Sequence, residues 1–255
     1  MKYRVLYLGI KPIGEKCFRY LIEREQKNIE LKAIVSNESK DTVWWKSNRL
    51  YQYALNNGMP FLSSEKRNNE GIIKLIQEND VNCIISNGYN WIISKEVLEQ
   101  VEYCAFNLHL AILPDYQGNF TYNHAILNGE KEYGITLHWM TEQVDQGEYI
   151  FMPRFPIDRN STTKSLYEKS VNLGEECFAK LIDMMEENTD IPRHPMNGEG
   201  HFYNRKSLDG LRKIVDLNDS EEVDRKSRAF FFPPFESAYT IIHGKKYYIV
   251  PSETV

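Results

Sequence analysis

The N-terminal third of the chain alternates short apolar runs with segments of helical periodicity, and this alternation restricts the fold more than any other feature. Val5 to Leu8 is a compact apolar run that ends at Gly9. Lys11-Pro12-Ile13-Gly14 interrupts it before Cys17, Phe18, Leu21 and Ile22 resume at helical spacing, giving strand, loop and helix in succession. Leu31 to Val35 is a second strand-like run, closed by Ser36-Asn37-Glu38-Ser39. A helix around Leu50 to Leu55 stops at Asn57-Gly58 with Pro60 just beyond, a good stop signal. Phe61 and Leu62 form a short third strand. Ile72, Ile73, Leu75 and Ile76 mark another helix, and Val81 to Ile85 leads as a fourth strand into Ser86-Asn87-Gly88-Tyr89. A chain of this kind is expected to be α/β, a Rossmann-like and mostly parallel sheet with helices on both faces. Ligands of such sheets sit beyond the carboxyl ends of the strands.

The pattern continues with Tyr103 to Leu108 as a fifth strand, a Pro/Gly-punctuated loop to Gly118, and a helix through Tyr122 to Leu127 closed by Asn128-Gly129. Gly134 to Met140 reads as a sixth strand and Tyr149 to Phe155 as a seventh. Thr162 to Met185 reads as a long helix, with Leu166, Val171, Leu173, Cys177 and Leu181 as its apolar stripe. After Ile191-Pro192 the composition shifts to His, Pro, Gly and Asn. The chain then ends in an aromatic run, Phe230 to Phe235, and a hairpin of Tyr239 to Ile242 and Tyr247 to Val250 turning through His243-Gly244-Lys245-Lys246. The organisation expected is a main domain over residues 1–200 and a small appendage over 201–255 that binds substrate or makes a homodimer through apolar contact.

Charge and cysteine usage exclude several classes. The net charge of −5 and a tail with nine Lys/Arg against eight Asp/Glu leave no basic footprint for nucleic acid. Cys17, Cys83, Cys104 and Cys177 show no CxxC and no Cys/His pairing, so neither a zinc site nor a disulfide framework is indicated. The first residues run straight into a strand pattern too short for a signal peptide, and no apolar segment is long enough to span a bilayer. A cytoplasmic protein without nucleic-acid or membrane partners is expected.

The chemistry concentrates after the fifth strand. If Phe106 to Leu108 ends a buried strand, Asn107 and His109 project from the same face. An Asn amide can donate to a developing oxyanion, an imidazole can take or relay an amine proton, and the carboxylate of Asp145 can fix the imidazole's tautomer and charge. Those three roles suit acyl transfer to an amine. An Asn or His at a strand end, taken alone, is more often a turn or capping residue; His124 and His138 are read as packing or surface residues.

The ordered set Asn107-Leu108-His109, Ile112-Leu113-Pro114, Tyr116-Gln117-Gly118, Ala125 to Gly129, Gly134 to His138 and Val144-Asp145-Gln146-Gly147 resembles the formyltransferases that use 10-formyltetrahydrofolate. The resemblance is good over residues 80 to 155 and weaker back to the first strand. It places Asn107, His109 and Asp145 on the family's catalytic Asn, His and Asp. It implies a folate pocket walled by Asn87, Gly88, Tyr89, Trp91 and Ile92 on one side and by Gln143, Val144 and Asp145 on the other. There are departures at Gln117, where many members carry Arg, and at Leu110-Ala111, where Pro-Ser is common; both fall on the substrate side. The tail, with His201 to Asn204, Phe231-Phe232-Pro233-Pro234 and Gly244 to Tyr248, looks like those of N-formyltransferases of nucleotide-linked amino sugars. That likeness implies an acceptor such as a dTDP-linked 3- or 4-amino dideoxyhexose, for O-antigen or other surface polysaccharide, with a GDP- or UDP-linked sugar or methionyl-tRNA as alternatives. A folate- or sugar-nucleotide-binding module without catalysis is the non-enzymatic alternative, which the intact trio opposes. No metal is needed, because the donor is already activated.

Acceptor-side candidates are Lys11, Gln117, Asn119, Tyr203, Arg205, Lys206, Phe231 and Phe232. Tyr203 with Phe231 or Phe232 would stack on a nucleobase, and Arg205 and Lys206 would meet its phosphates. The loop from Gly9 to Gly14 lacks the P-loop and GxGxxG fingerprints; Lys11 is a candidate to meet a diphosphate there, although a lysine in such a loop is more often a solvated surface residue. Trp44-Trp45 either anchors its loop on the core or stacks on a ligand.

Overall fold

The computed structural model describes residues 2–40 and 44–252. Its elements are β1 (Tyr3–Gly9), α1 (Lys11–Ile22), β2 (Ile29–Ser36), α2 (Arg49–Asn56), β3 (Phe61–Ser63), α3 (Asn69–Glu78), β4 (Cys83–Asn87), α4 (Lys95–Glu99) and β5 (Ala105–His109). They continue with β6 (Gln117–Gly118), α5 (Thr121–Leu127), β7 (Glu132–Gly134), β8 (Thr136–Trp139), β9 (Tyr149–Phe151), β10 (Arg154–Pro156), α6 (Thr163–Glu187), β11 (Phe202–Tyr203), α7 (Ser220–Ala229), β12 (Ala238–Ile242) and β13 (Lys245–Ile249).

The main sheet runs β3-β2-β1-β4-β5-β8-β9. Its first five strands are parallel, and β8 and β9 are added antiparallel, so the mostly parallel sheet read from the sequence is what forms. Period-two alternation divides β1 between two cores. Val5 and Tyr7 join the core shared with α1, α2 and α6, while Leu6 and Leu8 join the one under α3 and α4. Strand order reverses at β1, with β2 on one side and β4 on the other, which opens the crevice where such sheets hold ligands.

The expected sixth and seventh strands each divide. Glu132–Gly134 leaves the main sheet to pair with Arg154–Pro156, and Thr136–Trp139 and Tyr149–Phe151 stay in it. Pro153 has no N–H to give the ladder, and its carbonyl accepts from Ile135 N at 3.2 Å instead, so the chain turns out of the sheet there. Two helices were not expected. α4 offers only Val97 and Leu98 as apolar residues. α7 is highly charged, but Asp219 caps it by accepting from the amides of Glu221 and Glu222. The hairpin closes with His243-Gly244 alone, at φ 48° and 76°, because two left-handed central residues match the twist of the strands; the longer expected turn through Lys246 does not form. A third core joins Ala111, Tyr116, Ala125, Tyr133 and Leu166 to Leu208, Ile214, Ala229, Phe230 and Ala238. The described residues 201–252 therefore pack on the main body rather than on a core of their own. Among the described residues no helix is long and apolar enough to cross a membrane.

Candidate active site

Asn107 and His109 lie two apart at the carboxyl end of β5 and so share one face. The antiparallel register sets His138 of β8 directly opposite Asn107, and directly paired residues point to the same side of a sheet. Asn107 Nδ2 and His138 Nε2 are 3.1 Å apart. His138 Nδ1 lies 2.9 Å from the carbonyl oxygen of Trp139. Because a carbonyl only accepts, Nδ1 carries the hydrogen and Nε2 is left to accept from Asn107. Burial pushes the His138 pKa down, against the opposing pull of Asp145, so this imidazole stays neutral.

His109 is fixed by the same kind of reasoning. Its Nε2 donates to the Tyr116 carbonyl oxygen at 2.8 Å, and its Nδ1 lies 3.6 Å from Asp145 Oδ2. Asp145 Oδ1 is 3.8 Å from His138 Nε2, so one carboxylate faces both imidazoles. Asp145 stands at φ 57°, and its Oδ2 accepts from Gly118 N at 3.1 Å. The turn that presents it depends on Gly147, where a Cβ would overlap the Trp139 carbonyl oxygen.

These side chains line a cavity of about 700 Å³, within the range of small-molecule sites. Gly88, Tyr89, Trp91 and Ile92 line it, as do Gln143, Val144 and Asp145. Ile92 is 52 % exposed, an apolar side chain presented to the opening, and the Trp91 indole is held by a 2.7 Å bond from Nε1 to Ser64 O. Asn87 is not part of the lining: its side chain is fully buried and donates from Nδ2 to the Tyr7 hydroxyl.

The acceptor-side candidates separate. Lys11, Asn119, Arg205 and Phe232 line the cavity; Gln117, Tyr203, Lys206 and Phe231 do not. Gln117 is buried and reaches the Asp145 carbonyl oxygen from Nε2 at 3.4 Å. Tyr203 has its ring stacked on Tyr116 and, at 3.9 Å, on His124, so it packs within the protein rather than against the cavity. Lys206 is exposed outside the lining, and its backbone amide donates to Asn204 Oδ1 at 2.8 Å. Alternation along β11 puts Phe202 into the cavity instead. Of the tryptophan pair, Trp45 is buried and anchors the loop, while Trp44 lines the cavity edge-on to Tyr167 and Phe232.

Lys11 has φ 66°, and its amine is buried. Burial first and Arg205 second push its pKa below the ordinary lysine value. Among the described residues neither Lys11 nor Arg205 has a carboxylate partner, so two cations are held together in a cavity open to an anion. Sequence reasoning missed His138, which it took for packing. Its signal is the strand register that sets it against Asn107, and that appears only once β5 and β8 are paired. His124 does pack, on Tyr203 and with Nε2 2.8 Å from Ser207 Oγ.

Known proteins are similar to this chain in sequence and in fold. The profile of the formyl transferase family matches residues 5–182. A methionyl-tRNA formyltransferase of Clostridioides difficile is 26 % identical over 93 % of this chain and 76 % of its own length. A GDP-perosamine N-formyltransferase of Brucella melitensis is 32 % identical over 67 % of this chain and 64 % of its own. The crystal structure of an N-formyltransferase from Helicobacter canadensis, in complex with folinic acid and dTDP-3-aminofucose, superposes with a TM-score of 0.74 at 26 % identity, over 95 % of this chain and 85 % of that one.

Proposed function

This chain belongs to the formyl transferase family, and from that premise we propose that it moves the formyl group of 10-formyltetrahydrofolate to the amine of a nucleotide-linked dideoxyamino sugar. The observation that carries the reading is one cavity lined both by Asn107, His109, His138 and Asp145 and by the unpaired cations Lys11 and Arg205. The first group suits formyl transfer. The second suits the diphosphate of a sugar nucleotide.

The free amine attacks the formyl carbon, a C–N bond forms, and negative charge gathers on the formyl oxygen. Asn107 gives one Nδ2 hydrogen to His138 and keeps the other for that oxygen. His109 has its Nε2 hydrogen committed to Tyr116, so Nδ1 takes the proton that the amine sheds, and Asp145 stabilises the resulting imidazolium. The adduct collapses as the bond to the folate nitrogen breaks, and that nitrogen receives the proton. Gly88 to Ile92 and Gln143 to Asp145 hold the folate. The Helicobacter enzyme's complex with folinic acid and dTDP-3-aminofucose supports both ligand classes, and a dTDP sugar is preferred over a GDP or UDP one.

In this reading residues 1–200 form the catalytic part and 201–255 an acceptor-side appendage, which contributes Phe202, Arg205 and Phe232 to the cavity. The enzyme works in the cytoplasm, on a precursor of O-antigen or another surface polysaccharide. Ile241, Ile242, Tyr247 and Tyr248, exposed on the hairpin, form the contact of a homodimer. A tRNA acceptor is favoured by relatives such as the C. difficile enzyme and opposed by the net charge of −5, since tRNA affinity needs phosphate-neutralising cations. The test is mass spectrometry of dTDP-, GDP- and UDP-amino sugars and of methionyl-tRNA, each incubated with the enzyme and 10-formyltetrahydrofolate. A formyl mass gain on one sugar nucleotide is expected; gain on the tRNA alone, or on nothing, overturns the reading.

A further inference from the structure

β1 and β4 lie side by side with Gly9 opposite Asn87, and the segments that leave them, the entry and first turn of α1 on one side and the loop after β4 on the other, both called loops below, carry different parts of the cavity lining. Lys11 follows β1, and Gly88 and Tyr89 follow β4. A buried relay joins these loops. Asn87 Nδ2 donates to the Tyr7 hydroxyl at 3.0 Å, and that hydroxyl donates to the Gly14 carbonyl oxygen at 2.7 Å. Ile10 N donates to the Asn87 carbonyl oxygen at 3.3 Å, and Gly88, at φ 75°, packs so closely on Ile10 that a Cβ there would strike the Ile10 carbonyl. Tyr7 and Asn87 are both completely buried. Among the described residues Asn87 Oδ1 has no hydrogen-bond partner, an unfavourable state that an apolar residue at this position would avoid. A costly buried amide between two ligand-bearing loops is the signature of a group kept for positioning rather than for stability.

We propose that Tyr7 and Asn87 are positioning residues that clasp the folate-side loop to the acceptor-side loop and so fix the separation of donor and acceptor. Neither touches a ligand; they act through Gly88-Tyr89 and through Lys11, whose left-handed backbone the clasped loop holds in place. The proposal rests on the reading of this cavity as a two-ligand site. Formyl transfer needs the amine and the formyl carbon within about 3–3.5 Å, so a loop that drifts on either side weakens both binding steps.

Tyr7→Phe and Asn87→Ala, alone and together, test it in the full-length enzyme. Each single variant should raise KM for 10-formyltetrahydrofolate and for the accepted amino sugar together, by about fivefold or more, with the double variant no worse than the worse single, since the two residues form one relay. Hydrogen exchange should speed up in 10–14 and in 87–91 together in either variant. A merely structural pair would lower Tm and leave both KM values in place. A folded variant that keeps both KM values within twofold, a shift in one KM only, additive effects in the double variant, or failure of both singles to fold overturns the proposal. If only Tyr7→Phe fails to fold, Asn87→Ala decides. A wild-type enzyme that formylates no acceptor would defeat the functional reading, and folinic acid affinity with the exchange of the two loops would still read the clasp.

Discussion

Asn107 has two amide hydrogens, and the neutral imidazole of His138 accepts one of them, which leaves the other for the oxyanion of the proposed mechanism. Asn107→Ala is expected to lower kcat by about 100- to 1000-fold, the usual cost of losing one oxyanion donor. Near-normal turnover would remove Asn107 from that role. His138→Phe leaves the Asn107 amide present but unaimed. It should cost about tenfold in kcat, on the order of one hydrogen bond, with KM for the folate unchanged; steady-state kinetics with the donor varied separates the two. At the acceptor side, Arg205→Ala should raise KM for the sugar nucleotide while folinic acid affinity, read by tryptophan fluorescence, stays put. A fall in folate affinity of the same size would instead assign Arg205, which lies over Trp91 at 5.7 Å, to the donor.

Two junctions between elements are open to direct measurement. α6 opens on a capping box, in which Thr162 accepts from Ser165 N and Ser165 Oγ bonds back to Thr162 N. Thr162→Ala should cost about 1 kcal/mol of stability, visible as a lower urea midpoint at unchanged slope. α5 meets the segment after β11 through His124, which burial and His201 push down to about 4 from an ordinary 6.5. Below pH 6.5 the unfolded chain binds a proton at this imidazole that the folded chain refuses until about pH 4. The stabilisation is therefore complete above 6.5 and falls as pH drops through that window. Tm of the wild type should decline from pH 6.5 towards 4, and His124→Phe, which can still stack on Tyr203, should decline less steeply. Equal slopes would rule out His124 as the group responsible.

For the molecule as a whole, the proposed dimer rests on the hairpin. Tyr248 is 57 % exposed and Ile241 47 %, and a charge on each should release the proposed dimer without touching the cavity. Sedimentation of Ile241→Asp/Tyr248→Lys is expected to show a monomer that keeps its turnover. A wild type already monomeric at micromolar concentration, or loss of turnover in step with dissociation, would contradict that separation of roles.

The sequence by itself determined the parallel sheet, the shared face of Asn107 and His109, the loop that carries Asp145 and, Asn87 apart, the two segments 88–92 and 143–145 that line the cavity. All of these follow from local periodicity, strand alternation and short ordered motifs, which the chain writes within a few residues. The tertiary structure alone decided the rest. His138 joins the site because β8 pairs antiparallel with β5, Tyr203 packs away from the cavity because the loop before β6 and α5 supply Tyr116 and His124 to stack on it, and Asn87 turns inward to a tyrosine eighty positions earlier. Those outcomes depend on strand order and on which surfaces meet when residues 201–252 pack on the body. No window of sequence encodes a contact between distant segments.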